Sequence, residues 1–171
     1  MKLIEDFKFK SECYFGRQDL KSVLRVMISD GSSAVIFYRL MQFFNNLHLG
    51  VIGVIFYELN KIINGCVIGR KAEFADGFVL MHPVGVVINA GVTGGKNIVI
   101  ESGVVIGAAR NGYPVLVPQL GNNVFIGSGA KVLGGIKVGS NVKIGANAVV
   151  VKNVPDNVTV VGIPARVVHE G

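Results

Sequence analysis

Aliphatic residues recur at every sixth position from Leu120 onward, through Ile126, Val132, Val138, Ile144 and Val150. Glycine follows four of them directly, as Gly121, Gly127, Gly139 and Gly145. A second small-aliphatic series runs two residues earlier, through Val124, Ala130, Ile136, Val142 and Ala148. A period of six is neither helical nor that of a hairpin array, and self-similarity of this kind marks a solenoid. The same phase holds upstream as Ile88, Gly94, Ile100 and Ile106, and, two residues out of step, as Ile68, Phe74 and Leu80. That slip falls around His82. Between Ile106 and Leu120 the spacing is 14 rather than 12, so "ARNGYPVLVPQ" carries a two-residue excess and two prolines. It reads as a loop leaving the solenoid over residues 108–119.

Each six-residue unit is a short strand plus a turn, with the strand residue pointing inward and the following Gly or Asn relieving the backbone where it bends. Three units per coil would stack coils about 4.8 Å apart, each burying the apolar edge of its neighbour. A single coil is not stable alone, so the repeat must continue. The segment before it follows a different rule. "QDLKSVLRVMISD" and "SAVIFYRLMQFFNNLH" space their apolar residues helically, with Asp30, Gly31 and Ser32 punctuating them, and "VIGVIFYELNKII" leads into the first coil. Residues 1–64 are therefore expected to be a helical segment capping the open end of the solenoid, and residues 65–171 the solenoid and its tail. A sharper reading places Phe37, Phe43, Phe44 and Phe56, flanked by Arg39 and Lys61, at a membrane interface as a peripheral contact.

Composition narrows the class. Half of the 171 residues are apolar and 16% are charged, which permits a substantial core and excludes a disordered chain. The net charge of +6 is uneven: residues 1–60 carry seven Lys/Arg against six Asp/Glu, and residues 61–171 carry ten against five. The basic excess is scattered singly, as on a solvated face or around an anionic small molecule such as a phosphorylated cofactor. No basic helix or interleaved aromatic platform points to nucleic acid. Cys13 and Cys66 lack the spacing of a disulfide framework or a zinc site, and fit a reducing compartment. "MKLIEDFKFK" does not read as a secretory signal. The apolar run "LGVIGVIFY" falls far short of the roughly 20 residues that span a bilayer. A cytoplasmic location is expected, with the inner face of the membrane as the place of any peripheral contact.

The run "IGSGAKVLGGIKVGSNVKIGANAVVVKNVPDNVTVVGIPARVV" resembles the hexapeptide-repeat acyltransferases, over about residues 65–168. "GFVLMHPVGVVIN" and "IVIESGVVIGA" look like the serine acetyltransferase branch, and most like its short members that O-acetylate exopolysaccharide sugars. The resemblance implies a mostly β fold, a left-handed parallel β-helix with a short N-terminal helical segment. It also implies a homotrimer that binds acetyl-CoA in a groove between adjacent subunits.

Acetyl transfer from a thioester to a hydroxyl needs a base, a donor for the developing oxyanion, and alignment of two substrates. Histidine suits the first role, and His82 sits where the repeat slips phase, so its side chain need not enter the core. A lone histidine among apolar residues also reads as a structural one. By resemblance His82 occupies the position of the catalytic histidine. The family places an orienting carboxylate fifteen residues earlier, where this chain has Val67, and the serine-specific enzymes have Asp where this chain has Met81. A second family histidine aligns with Ser102, beside Glu101, and both are candidates for the acceptor side. Glu101, Glu73 or Asp76 are the candidate replacements for the missing orienter. Loss of acidic contacts disfavours an ammonium-bearing acceptor such as L-serine and leaves an uncharged sugar hydroxyl of a surface polysaccharide, or its precursor, the more compatible one. The alternatives are an amino acid or amino sugar acceptor, and a non-catalytic trimeric binding protein. For the cofactor, the pattern carries onto Ser128, Ala146, Lys152 and Arg166, the first two small enough to admit a pantetheine arm and the last two able to pair with phosphates, with Ala108 at the root of the loop as a further candidate. "GVTGGKN" and "GSGAKV" fail as phosphate and dinucleotide fingerprints. No metal is expected, because His82 is the solenoid's only histidine before its C-terminal tail and the zinc enzymes of this fold need three.

Overall fold

The computed structural model describes residues 2–109 and 115–170. Four helices come first: α1 (Lys2–Phe15), α2 (Leu20–Met27), α3 (Ser32–Asn46) and α4 (Gly50–Asn64). Asp19 caps α2, accepting the Ser22 amide at 3.1 Å and so satisfying one of the free N–H groups of the first turn. Helix α1 falls within the helical segment expected over residues 1–64, although no apolar spacing of its own marks it. Its buried face is Asp6, Phe7, Lys10 and Ser11, a helical stripe made mostly of polar residues, which hydrophobic spacing does not reveal.

The rest is a three-sided parallel β-helix. Its first coil contains β1 (Val67–Ile68), β2 (Glu73–Phe74) and β3 (Phe78–Leu80), and its second β4 (Val87–Ile88), β5 (Thr93–Gly94) and β6 (Ile98–Ile100). The third comprises β7 (Val105–Gly107), β8 (Gln119–Leu120) and β9 (Val124–Ile126), and the fourth β10 (Lys131–Leu133), β11 (Lys137–Val138) and β12 (Lys143–Ile144). The last coil has β13 (Val149–Val150), a bridge from Val138 to Val154, and β14 (Val158–Val161), on which β15 (Arg166–Glu170) folds back antiparallel. Strands stack into three sheets: β1-β4-β7-β10-β13, β2-β5-β8-β11, and β3-β6-β9-β12-β14-β15. The six-residue series lies inside, so Ile68, Ile88, Ile106, Val132 and Val150 form one buried column and Leu80, Ile100, Ile126, Ile144 and Val160 another.

The loop is larger than its spacing suggested. Ile106 pairs with Ile88 and Leu120 with Gly94, so β7 to β8 is one step of the coil rather than two. Ile88 to Gly94 takes six residues and Ile106 to Leu120 takes fourteen, an excess of eight instead of two. Within this loop, residues 110–114 lie outside the described residues.

A buried ion pair fastens the helices to the first coil. Asp6 accepts from Arg39 through both oxygens, at 2.7 and 3.0 Å, and from the Phe78 amide at 2.8 Å. Arg39 also donates to the carbonyls of Phe74, at 3.0 Å, and Ala75, at 2.7 Å. With every partner satisfied, the pair acts as a register pin between helix and coil. Of the two cations in the interfacial reading, Arg39 is 7% exposed and holds α3 on the coil. Phe44 stacks on Phe56 at 5.6 Å, and Phe37 packs on the same ring at 6.1 Å. Among the described residues no helix is long and apolar enough to cross a membrane.

Candidate active site

The phase slip at His82 is a bulge in the third sheet. Leu80 lies opposite Ile100, yet the Gly103 amide already donates to the Val84 carbonyl at 3.0 Å. One coil higher, Ile100 lies opposite Ile126 and Gly129 donates to Ser102 at 2.7 Å. Four steps along the first coil, from Leu80 to Val84, therefore match two along the second, from Ile100 to Ser102. The two extra residues fall within Met81, His82 and Pro83, and they push the imidazole out of the coil. The His82 side chain is 57% exposed.

Its Nδ1 lies 2.7 Å from Oδ2 of Asp30. A carboxylate only accepts, so Nδ1 of the neutral ring is the donor and the lone pair of Nε2 is left for another proton. The carboxylate that meets the ring comes from the turn between α2 and α3, not from the coils. Glu73, Asp76 and Glu101 do not hold the ring. Val67, at the family's carboxylate position, sits in β1 beside Val87 as an apolar surface residue. Asp30 had been read as helix punctuation, and it is that too: its Oδ1 accepts the Gly31 amide at 2.9 Å. Gly31 has φ +76°, and a Cβ there would come within 2.1 Å of the Leu80 carbonyl oxygen. The turn thus rests on the strand end leading into the bulge, which places the carboxylate beside the ring.

Tyr14 of α1 shares this patch. Partial burial raises its phenol pKa, and the negative charges of Asp30 and Glu101 raise it further. Glu101 and Ser102 lie one coil above the bulge, half-buried, so the structure brings both sequence candidates near His82. Tyr14 carried no sequence signal, since no periodic pattern marks its helix.

The cofactor candidates separate into two groups. Ser128 and Ala146 follow β9 and β12 on the same corner as Ser102; Gly129 donates to the Ser102 carbonyl at 2.7 Å and Asn147 to that of Ser128 at 2.9 Å. Both side chains are small and exposed. A Cβ on Gly127 would come within 2.7 Å of the Ala146 amide, so coils stack tightly here and leave a shallow, backbone-lined track. An extended pantetheine arm fits such a track. Ala108 and Lys152 lie at the opposite edge of the first sheet, after β7 and β13. A groove of about 590 Å³ there includes Tyr57, Arg70, Val87, Val105 and Ala108 in its lining. Arg166 is exposed and begins β15, opposite Val161. No group of three or more metal-ligating side chains occurs among the described residues.

The stacked six-residue coil, with a histidine–carboxylate pair at the bulge of its first turn, is the architecture to set beside known proteins. The family profile "Bacterial transferase hexapeptide (six repeats)" matches residues 118–152. A serine acetyltransferase of Bacillus pumilus is 35% identical over 149 residues, covering 86% of this chain and 69% of that protein. One from Synechococcus elongatus is 37% identical over 139 residues, 81% of this chain. The chain spans 57% of the length of that relative. The crystal structure of a Brucella abortus serine acetyltransferase in complex with coenzyme A superposes with a TM-score of 0.86, at 28% identity, over 98% of this chain and 67% of that one. The chain belongs to the hexapeptide-repeat transferases, in the family of the serine acetyltransferases, and its fold is their left-handed β-helix.

Proposed function

We propose that the protein is an acetyl-CoA-dependent O-acetyltransferase in which His82, oriented by Asp30, takes the proton from an acceptor hydroxyl. The observation that carries this is the 2.7 Å contact between Nδ1 and the Asp30 carboxylate. It fixes the tautomer in which Nε2 is the base and stabilises the imidazolium once the proton arrives. Bound acetyl-CoA supplies the thioester carbonyl; the chain's own part is to hold the hydroxyl at Nε2 and the pantetheine arm along Ser128 and Ala146. Lys152 and Arg166 would pair with its phosphates. Both edges of the first sheet carry cofactor candidates, which suits a groove completed by a second subunit of a homotrimer.

For the acceptor, L-serine or a similar small hydroxy amine is the leading reading, because the relatives are serine acetyltransferases. Glu101 supplies a carboxylate on the patch for an ammonium group, meeting the objection raised by Met81. A sugar hydroxyl of a surface polysaccharide, as in the short exopolysaccharide enzymes, is the second reading. It rests on the apolar Val67 and Met81, and on the Tyr14 ring, which is 43% exposed and offers a face for a pyranose. The test is release of free CoA from acetyl-CoA, with L-serine and a panel of sugars, for wild type and His82→Ala. Turnover on one acceptor class, lowered about 10²- to 10⁴-fold in the variant, is the expected result. Undiminished turnover in His82→Ala removes the base, and CoA binding without turnover on any acceptor favours a binding protein.

A further inference from the structure

Lys10 lies on the buried face of α1 with 1% of its surface exposed. Its Nζ donates to Ser32 Oγ at 2.9 Å, to the Leu80 carbonyl at 3.3 Å, and to the Asp30 carbonyl. An ammonium has three N–H bonds, and each one finds an acceptor here. Two of the three acceptors belong to the backbone that carries the catalytic pair. Asp30 bears the carboxylate itself, and Leu80 ends β3 immediately before the bulge with Met81 and His82. Ser32 opens α3 on the other side of the Asp30–Gly31 turn. The α1 ammonium is therefore a three-way knot between the helix turn and the strand end, directly beneath a contact made 52 residues apart in sequence.

We propose that Lys10 is a positioning residue for the His82–Asp30 pair, tying the turn that carries Asp30 to the strand end that leads into His82. The role rests on reading that pair as the catalytic one, though the tie exists whichever acceptor is used. Its chemistry sets a pH signature. Burial lowers the Lys10 pKa to about 8, against the opposing pull of Asp30 and Cys13. The charged and titratable groups on this patch are Cys13 and Tyr14 of α1, Asp30 of the turn, His82 of the bulge and Glu101 of the second coil. Once deprotonated, the amine keeps two N–H bonds for three acceptors, so one strand of the knot slackens. The global fold does not weaken with it. Between about 8 and 10.5 the unfolded chain holds this proton and the folded chain does not, so this group's contribution to stability rises with pH across that window. Loosening of the pair with undiminished stability separates positioning from a merely structural role.

The experiment reads the tautomer of His82 from its ring nitrogen shifts by NMR, assigned by the loss of signal in His82→Gln, in the full-length protein. Wild type at about pH 7.5 is expected to show the Nδ1–H form for its neutral ring. Lys10→Met is expected to move toward the Nε2–H form at the same pH, as Asp30→Asn does, while its kcat falls about 10- to 100-fold with KM for acetyl-CoA unchanged. Wild type should move in the same direction by about pH 9.5, with an undiminished unfolding midpoint, and Lys10→Met should show no further change. A wild-type tautomer in Lys10→Met, or a kcat that keeps its wild-type value, overturns the proposal. If that variant does not fold, the wild-type pH series decides alone: a tautomer unchanged up to about pH 9.5 overturns it too. An intact tautomer response in a protein that turns over no acceptor supports the tie and counts against the proposed activity.

Discussion

Gly31→Ala adds one methyl group to a turn that holds no cofactor candidate, and it should nonetheless abolish most of the proposed activity. Its Cβ would sit 2.1 Å from the Leu80 carbonyl oxygen, on a backbone with φ +76°. An acceptable carbon–oxygen contact is about 3.3 Å, so turn and strand end must part by roughly 1 Å. The left-handed conformation adds about 1–2 kcal/mol of strain for a residue with a side chain. Asp30 moves with the turn, and the strand end leads into His82, so a 2.7 Å hydrogen bond opens toward 3.7 Å, the sum of that contact and the 1 Å displacement. Beyond about 3.5 Å the bond is gone. A misplacement of this size costs about 10²-fold in rate. The assay is kcat for CoA release at saturating substrates, beside the urea midpoint of the same preparation. The expected pair of results is a loss of about 10²-fold in kcat with a folded, moderately destabilised protein. Wild-type kcat in a variant destabilised by the expected 1–2 kcal/mol would show that the turn can yield without moving Asp30, and that the geometry of the pair does not depend on this contact.

Asp30→Asn should lower kcat about 10²-fold or more with little change in KM for acetyl-CoA, because an amide can donate to Nδ1 and so favour the tautomer whose Nε2 is already protonated; steady-state kinetics with both substrates varied checks it. Lys152→Ala and Arg166→Ala should each raise KM for acetyl-CoA several-fold with kcat retained, and high salt should weaken the wild type toward them; equal KM values at low salt would return both to the solvated surface. The asparagines at one corner form a ladder, Asn97 to Asn123 at 3.0 Å, Asn123 to Asn141 at 2.9 Å and Asn141 to Asn157 at 2.8 Å. Asn123 has φ 54°, so Asn123→Ala loses both rungs and gains left-handed strain, for about 2–3 kcal/mol in a denaturant titration, while Asn123→Gly should cost less by roughly the strain alone.

The coil was legible because its period repeats: Ile126, Val132, Val138 and Ile144 each report the same inward position, and errors in one are corrected by the next. Even the bulge was visible, as a two-residue slip in that count. The loop was miscounted because a phase argument cannot tell fourteen residues as two units plus two from one unit plus eight; only the pairing of Leu120 with Gly94 decides. Helix α1, inside the expected helical segment, lacked a pattern of its own for a different reason. Its buried stripe is Asp6, Phe7, Lys10 and Ser11, and a charge facing inward looks in sequence like a charge facing water. The role of Asp30 is illegible for a third reason: a contact between a helix turn and a strand bulge, 52 residues apart, leaves no local pattern. The aspartate was in plain view, but as punctuation.

The last two of these share a location, and that has a functional consequence. Asp6, Lys10 and Asp30 all belong to the helical segment, and all three reach the first coil: Asp6 through the Phe78 amide, Lys10 through the Leu80 carbonyl, Asp30 through His82. The helices therefore do more than close the open end of the solenoid. A carboxylate mounted on the coil would orient its histidine whenever the coil is folded. One mounted on the helical segment does so only while the helices are docked, so the geometry of the proposed catalytic pair inherits the stability of the helix–coil interface. The apolar Val67 and Met81 leave Glu101 and the Tyr14 ring as the groups proposed to select the acceptor. Replacing Glu101 with Gln is the sharpest single probe of that selection: an ammonium-bearing acceptor should lose affinity by about 10-fold or more as its counter-charge goes, whereas an uncharged sugar should be nearly indifferent. KM for the acceptor, measured with the acetyl donor saturating, separates the two, and an unchanged KM for L-serine would exclude Glu101 as the group that holds it.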